Sequence, residues 1–301
     1  MKIQDYVIVG PTASGKSGFA HALAKKINGV ILNCDSVQIY RGIENISASP
    51  FAGHKDKIDA AELDGVPYRL FSVMKLSEHQ NVRGYQEMAR AEYEAAHAAG
   101  RPVIVVGGTG YYANALLNGI SEMPDVSHEN RVRARELVAT DREAALAMLP
   151  DDFPATDPQR IARALEIFFE TGRHITEFQR GARVGIVLPS DTIKILLDPD
   201  VDELCERIAV RVPEMLASGA VEEAGAIIRS GWAPERAIGA SQLVGYVTGR
   251  YSYDTMLKNW IIRTNQYAKR QRTWFRHKYK ADIIIDHVPT DADVESVIRN
   301  I

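Results

Sequence analysis

Apolar residues fall into two rhythms along the chain. Short unbroken runs recur at Tyr6–Val9, Gly29–Asp35, Tyr68–Val73, Pro102–Val106, Thr192–Leu197 and Asp282–Asp286, and each predicts a strand. Between them, helices are predicted over Gly18–Lys26, over the alanine-rich stretch Val82–Ala99 that stops at Gly100, and over a third stretch ending at Leu117. Residues 43–66 are polar, with Pro50, Gly53 and Gly65, and read as loop. From about Ser121 to Arg183 the strand pattern vanishes and charged helical patterns replace it, over Glu129–Leu149 and Pro158–Glu170. The second of these begins after Asp157-Pro158, with Ile161, Leu165 and Phe168 on one face and Arg160 and Arg163 elsewhere. Gly185–Pro189 reads as a return crossing. Helices are then expected over Asp202–Gly219, Val221–Arg229 and Tyr253–Lys278, and at the C-terminus. The expected organisation is a core split in sequence, 1–120 and 184–301, around a helical insertion at 121–183.

Composition places the chain without specifying it. With 301 residues, 46% hydrophobic and 25% charged, it reads as a soluble globular protein, and no apolar run approaches membrane-spanning length. The start, Met1–Tyr6, passes almost at once into the first strand and leaves no room for a signal or transit peptide. Cys34 and Cys205 form neither a metal cluster nor a disulfide framework, which fits a reducing cytosol, and Cys34 reads as a small buried thiol. A cytoplasmic monomer with no membrane partner is the expectation.

Charge adds more by its distribution than by its total. The formal net charge is −3. Yet Arg263, Lys269, Arg270, Arg272, Arg276, Lys278 and Lys280 follow one another with no acidic residue among them, a localised footprint for a polyanion.

The chemistry begins at Gly10-Pro11-Thr12-Ala13-Ser14-Gly15-Lys16-Ser17, set between the first strand and the first helix. Glycines there let successive amides turn inward around a polyphosphate while the helix start adds partial positive charge. Lys16 supplies a point charge and Ser17 a hydroxyl for a magnesium ion, Mg2+. In an open parallel sheet ligands gather at the carboxyl ends of strands, so Asp35-Ser36-Val37-Gln38, ending the second strand, shares a rim with this loop. Spacing alone leaves Asp35 either a general base or a magnesium ligand at a strand end. The turn Gly107-Gly108-Thr109-Gly110 repeats the strand, glycine, helix order without a lysine. It reads either as a close helix–sheet contact or as another part of the rim.

Taken together, Gly10–Ser17, Asp35–Gly42, Gly107–Gly110, Asp157–Glu166, Arg211–Gly219 and Gln266–Arg276 resemble the tRNA dimethylallyltransferases, over nearly the whole chain and in the same order. The resemblance implies an α/β fold, a P-loop NTPase-like three-layer core with a mostly parallel sheet and a helical insertion lobe. It implies transfer of a dimethylallyl group from dimethylallyl diphosphate to N6 of the adenosine 3′ of the anticodon, with the tRNA anticodon stem-loop as acceptor. The loop would then hold a diphosphate leaving group through Gly10, Thr12, Ala13, Ser14, Gly15, Lys16 and Ser17, with Mg2+ on Ser17.

By the same matching Asp35 becomes the base, Thr12 touches the diphosphate and Arg211 adds a cation there; a surface ion pair with Glu214 is the alternative for Arg211. Asp35, Ser36, Val37 and Gln38 would hold the acceptor base, which must be turned out of the stacked loop. Thr109, Arg131, Gln159, Arg160, Ile161, Ala162 and Arg163 match positions that contact tRNA, and Lys269, Arg270 and Arg272 would grip its backbone. Trp274 and Phe275 read first as core residues of a long helix. The chain departs from the family pattern at Ile43–Pro50, at Pro67-Tyr68-Arg69 and at Ile238–Ser241. Alternative readings are an adenylate isopentenyltransferase acting on free AMP, a P-loop small-molecule kinase, and a nucleotide-controlled RNA-binding switch.

Overall fold

The computed structural model describes residues 3–151, 153, 157–186 and 188–299; Val187 of the expected return crossing lies outside them. The chain divides into a larger unit, residues 1–118 with 185–301, and a smaller one, Gly119–Val184.

The larger unit is laid down as β1 (Tyr6–Val9), α1 (Lys16–Ile27), β2 (Val30–Asn33), the short hairpin β3 (Glu62–Leu63) and β4 (Val66–Arg69), α2 (Val82–Ala98), β5 (Val103–Gly107) and α3 (Gly110–Asn118). The smaller unit contributes β6 (Ile120–Ser121), α4 (His128–Thr140), α5 (Arg142–Ala147), α6 (Pro158–Thr171), α7 (Ile175–Gln179) and β7 (Arg183–Val184). The larger unit resumes with β8 (Ile193–Leu197), α8 (Val201–Met215), α9 (Val221–Ser230), α10 (Ala240–Val247), α11 (Tyr253–Lys278), β9 (Ile283–Ile285) and α12 (Asp291–Arg299).

Strand order in the main sheet is β3-β4-β2-β5-β1-β8-β9, parallel throughout except for the β3–β4 hairpin. The alternation of side chains along each strand splits the core into two layers. Ile8, Ile31, Ile104, Ile195 and Leu197 pack on one face with Phe19 and Leu23 of α1 and with Val294 and Val297 of α12. Val7, Val9, Leu32, Val103, Val105 and Leu196 pack on the other with Tyr85 and Ala89 of α2, Tyr112 and Leu116 of α3, and Phe275 of α11. The result is the three-layer, mostly parallel α/β core. A further cluster joins α8–α11 to Ile39, Tyr40, Ile43 and Ile46.

Two expected elements shift. The strand read at Tyr68–Val73 is β4, Val66–Arg69. Leu70 and Ser72 sit at φ 62° and 52°, which ends the ladder, and the amides of Ser72, Val73 and Met74 bond to the carbonyls of Gln38 and Ile39 instead. The single helix read at Glu129–Leu149 is broken at Asp141, whose φ and ψ of −145° and 84° are non-helical and whose carboxylate caps α5 by accepting from Ala144 N at 2.9 Å. Helices α7 and α10 went unread.

The smaller unit packs α4 and α5 on α6 around Ala134, Ala145, Leu149, Ile161, Ala164 and Leu165. Asp157 caps α6 by accepting from the amides of Gln159 and Arg160, and Gly172 ends it at φ 69°. Its ends meet in a two-strand antiparallel ribbon in which Ile120 pairs with Val184.

Candidate active site

A cleft of about 830 Å³ opens in the larger unit. Its floor is the loop between β1 and α1. Gly15 caps the helix at φ 89° and Ala13 lies at φ 68°, so the chain alternates handedness and turns amides inward. Close approach fixes the glycines. A Cβ on Gly10 would lie 2.4 Å from Leu197 O, and one on Gly15 would lie 2.9 Å from Pro289 Cδ.

Three cations face this floor. Lys16 Nζ donates to Pro11 O at 2.6 Å; burial, partly offset by the charge of Asp35, lowers its pKa to about 8. Arg211 of α8 donates to Thr12 Oγ1 at 2.7 Å rather than serving as a surface ion pair, while its Nε is buried with no partner among the described residues. Burial, then the neighbouring charge of Arg207, pulls Arg211 down to about 10, still protonated near neutral pH. Arg207, one turn earlier, donates from Nε to Ala13 O at 2.8 Å. Ser14 Oγ is likewise buried without a partner, and Ser17 is exposed in the cleft. A loop with positive side chains and donors left over is an anion cradle.

The wall comes from the end of β2. Asn33 Oδ1 accepts from Asp35 N at 2.8 Å, and Asn33 Nδ2 donates to Asp35 O at 3.1 Å. Asp35 Oδ1 accepts from Val37 N at 2.9 Å and Gln38 N at 3.4 Å, while its Oδ2 carries no hydrogen bond among the described residues. That leaves one carboxylate oxygen for chemistry. Thr109 Oγ1 accepts from Ser36 N at 3.0 Å and lies 3.2 Å from Ser36 Oγ, so the glycine turn is fastened to this wall. It is also a close contact: a Cβ on Gly107 would lie 2.4 Å from Cys34 C, and one on Gly110 would lie 2.2 Å from Trp274.

Helix α11 closes the third side with Thr264, Tyr267, Arg270 and Gln271. Gln271 Oε1 accepts from Thr12 N at 2.8 Å and its Nε2 donates to Gly108 O at 2.8 Å. The Thr12 amide is therefore spent on Gln271, and that of Ser14 on Pro11 O at 3.3 Å, so neither is open to a ligand. Burial and then the charge of Asp35 push the Tyr267 phenol well above its ordinary value, so it remains a neutral donor.

Not every expected contact residue is placed alike. Lys269 and Arg270 are exposed, with Arg270 lining the cleft. Arg272 is instead turned inward, its Nε 2.7 Å from Oδ1 of the buried Asp198, whose Oδ2 takes Arg276 Nε at 2.7 Å. In the smaller unit Arg131, Gln159 and Arg160 are exposed, and Arg163 pairs with Glu166 at 2.9 Å. Ile161 and Ala162 are buried there and present no side chain to solvent. Trp274 is half-buried and Phe275 fully buried, as core residues of a long helix should be. Sequence reasoning missed Arg207, Tyr267 and Gln271. Arg207 had a signal, its i,i+4 spacing from Arg211; Gln271 had a weaker one, a neutral amide inside a basic run.

Residues 38–278 match the IPP transferase family, and residues 3–61 also match the isopentenyl transferase family. A tRNA dimethylallyltransferase of Sphingopyxis alaskensis is 38% identical, over 90% of this chain and 89% of its own. One of Gluconacetobacter diazotrophicus is 36% identical over 98% and 90%. Among solved structures, the tRNA isopentenylpyrophosphate transferase of Bacillus halodurans superposes with a TM-score of 0.67 at 28% identity, over 99% of this chain and 95% of its own. A eukaryotic dimethylallyltransferase acting on tRNA superposes with a TM-score of 0.74 at 26% identity, over 99% and 79%.

Proposed function

The chain belongs to the tRNA dimethylallyltransferase family, and on that footing we infer that it transfers a dimethylallyl group from dimethylallyl diphosphate to N6 of the adenosine 3′ of a tRNA anticodon, releasing diphosphate. The observation that carries the residue roles is the meeting, in one cleft, of a cation-lined amide cradle and an aspartate with a free oxygen.

The cradle takes the diphosphate. Lys16, Arg207 and Arg211 gather negative charge that grows as the allylic C–O bond breaks, and Thr12, already held by Arg211, orients the oxygens. Because the allylic carbon bears part of the developing positive charge, holding the leaving group lowers much of the barrier.

Asp35 serves the other partner. The adenine amino group is a poor nucleophile with its lone pair delocalised into the ring, and its nitrogen turns acidic only as the new bond forms. Asp35 Oδ2, free beside the Gly108 turn, accepts that proton. Gln38 holds the base from the same wall. To Lys269 and Arg270, exposed on α11, and to Arg131, Gln159 and Arg160, exposed on the smaller unit, this reading assigns contacts with the RNA backbone.

The donor set suits Mg2+. Among the described residues there is no cluster of three acidic, histidine or cysteine side chains to cage a metal, whereas Ser17 stands exposed in the cleft beside the cradle. An ion held by one hydroxyl and by substrate oxygens matches the preference of magnesium for phosphates and retained water. When bound it would neutralise diphosphate charge. No helix among the described residues is long and apolar enough to cross a membrane. The reading extends to a cytoplasmic monomer, which size-exclusion with light scattering would check.

Mass spectrometry of an anticodon stem-loop incubated with the protein, Mg2+ and dimethylallyl diphosphate tests the whole assignment. The mass of the adenosine should rise by one dimethylallyl group in place of a hydrogen, with stoichiometric diphosphate. Modification of AMP but not of the stem-loop, or consumption of ATP instead of the prenyl donor, would overturn it.

A further inference from the structure

Glu223 stands on α9, away from the cradle, yet it is only 2% exposed. Its Oε1 accepts from Asn45 N at 3.0 Å and from Asn45 Nδ2 at 2.8 Å, and its Oε2 accepts from Ile46 N at 2.9 Å. Lys55 Nζ lies 3.5 Å from Oε1. Burial pushes the pKa of this carboxylate up, and the two backbone amides oppose that push. A buried carboxylate is costly unless it is hydrogen-bonded, and here most of its bonds go to a single loop.

That loop leads to the acceptor wall. The next two carbonyls, of Ser47 and Ala48, accept both protons of Gln38 Nε2 at 3.1 and 3.0 Å. Gln38 is thereby left with Oε1 as the remaining hydrogen-bonding group of its amide. Its own backbone N–H bonds Asp35 Oδ1. Ile46, Ser47, Ala48, Gln38 and Asp35 all line the cleft. The approach of α9 depends on a π-turn over Leu216–Ala220 between α8 and α9, where Gly219 takes φ 103° and a Cβ would come within 3.6 Å of Asn45 Nδ2. One helix pair therefore serves both substrates: α8 carries Arg207 and Arg211 to the donor loop, and α9 carries Glu223 to the acceptor loop.

We propose that Glu223 is a positioning residue for the acceptor: by fixing Asn45 and Ile46 it sets the carbonyls that clamp Gln38, and so holds the Gln38 amide in one orientation beside Asp35. The proposal rests on the prenyl-transfer reading above. It treats Ile43–Pro50, where this chain departs from its family's pattern, as a built part of the site.

The test is steady-state kinetics of the full chain with an anticodon stem-loop and dimethylallyl diphosphate. Glu223→Gln keeps the volume but sets an amide N–H against one of the N–H groups it should accept. Its KM for the stem-loop should rise about tenfold while KM for the donor stays within about twofold, a split that general loosening would not produce. In a Gln38→Ala background, Glu223→Gln should add less than about a twofold further loss, because its effect runs through Gln38. Equal rises in both KM values, or effects that multiply in the double variant, would overturn the proposal. Asn45→Ala, which removes one donor only, should show the same split in smaller degree, and it carries the test if Glu223→Gln does not fold. Wild-type protein that transfers nothing would instead sink the activity reading, a result distinct from an active wild type whose variants show no split.

Discussion

The amide of Thr12 and the side chain of Gln271, 259 positions apart in sequence, share a hydrogen bond of 2.8 Å. Through its other end Gln271 grips Gly108 O, so the donor loop and the turn beside Asp35 are held by one buried side chain. Gln271→Met keeps the bulk and removes both bonds. Each backbone group left unsatisfied costs about 1–3 kcal/mol. The urea midpoint should fall accordingly, and turnover should fall further than stability explains, measured under conditions where the variant is fully folded.

Asp35→Asn retains shape but cannot take a proton. Donor and stem-loop binding should stay within about threefold of wild type, while single-turnover transfer falls by about 10²–10⁴-fold, the usual share of a general base. Near-normal transfer would remove Asp35 from that role.

Lys16 links donor capture to pH. In the free protein its ammonium is lowered from 10.5 to about 8, so it loses its charge as pH rises through 8, and a bound diphosphate draws the proton back. Donor KM should therefore climb above pH 8. Binding near that pH should take up part of a proton, seen as heats that vary with the buffer in calorimetry. Lys16→Ala should weaken donor capture and remove the pH effect, with Arg207 and Arg211 still at the loop. The stability sign runs the other way. Between pH 8 and 10.5 the unfolded state holds more of this proton than the folded one, so the contribution of Lys16 to stability rises with pH across that window.

The basic run on α11 should divide under mutation. Replacing exposed Lys269 and Arg270 by alanine should reduce the salt slope of tRNA binding by about 0.7–0.9 per charge. Arg272→Ala should leave that slope nearly unchanged and instead lower stability, by up to about 3 kcal/mol, because among the described residues buried Asp198 then keeps only Arg276 as a charged partner. A large drop in slope for Arg272→Ala would place the RNA against that residue.

What could be read from sequence was local. The phosphate loop needs only consecutive residues between a strand and a helix, and Tyr6–Val9 and Tyr253–Lys278 appear with the bounds their patterns implied. What escaped was decided by distant partners. Nothing near Gln271 announces that it meets Thr12, and nothing near Glu223 announces that it meets Asn45. The β4 boundary depends on the left-handed Leu70, which no propensity foretells, and Asp141 could be read as a cap only by giving up one long helix for two. Arg272 looked like its neighbours in the basic run until the fold brought Asp198 beneath it.

Where Ile120 pairs with Val184, the polypeptide departs for the helical insertion and comes back through neighbouring points. A segment whose two ends already touch can be lengthened, shortened or traded for another without stretching the strands on either side. Changes of length inside 119–184 should therefore leave the register of the seven-stranded sheet untouched.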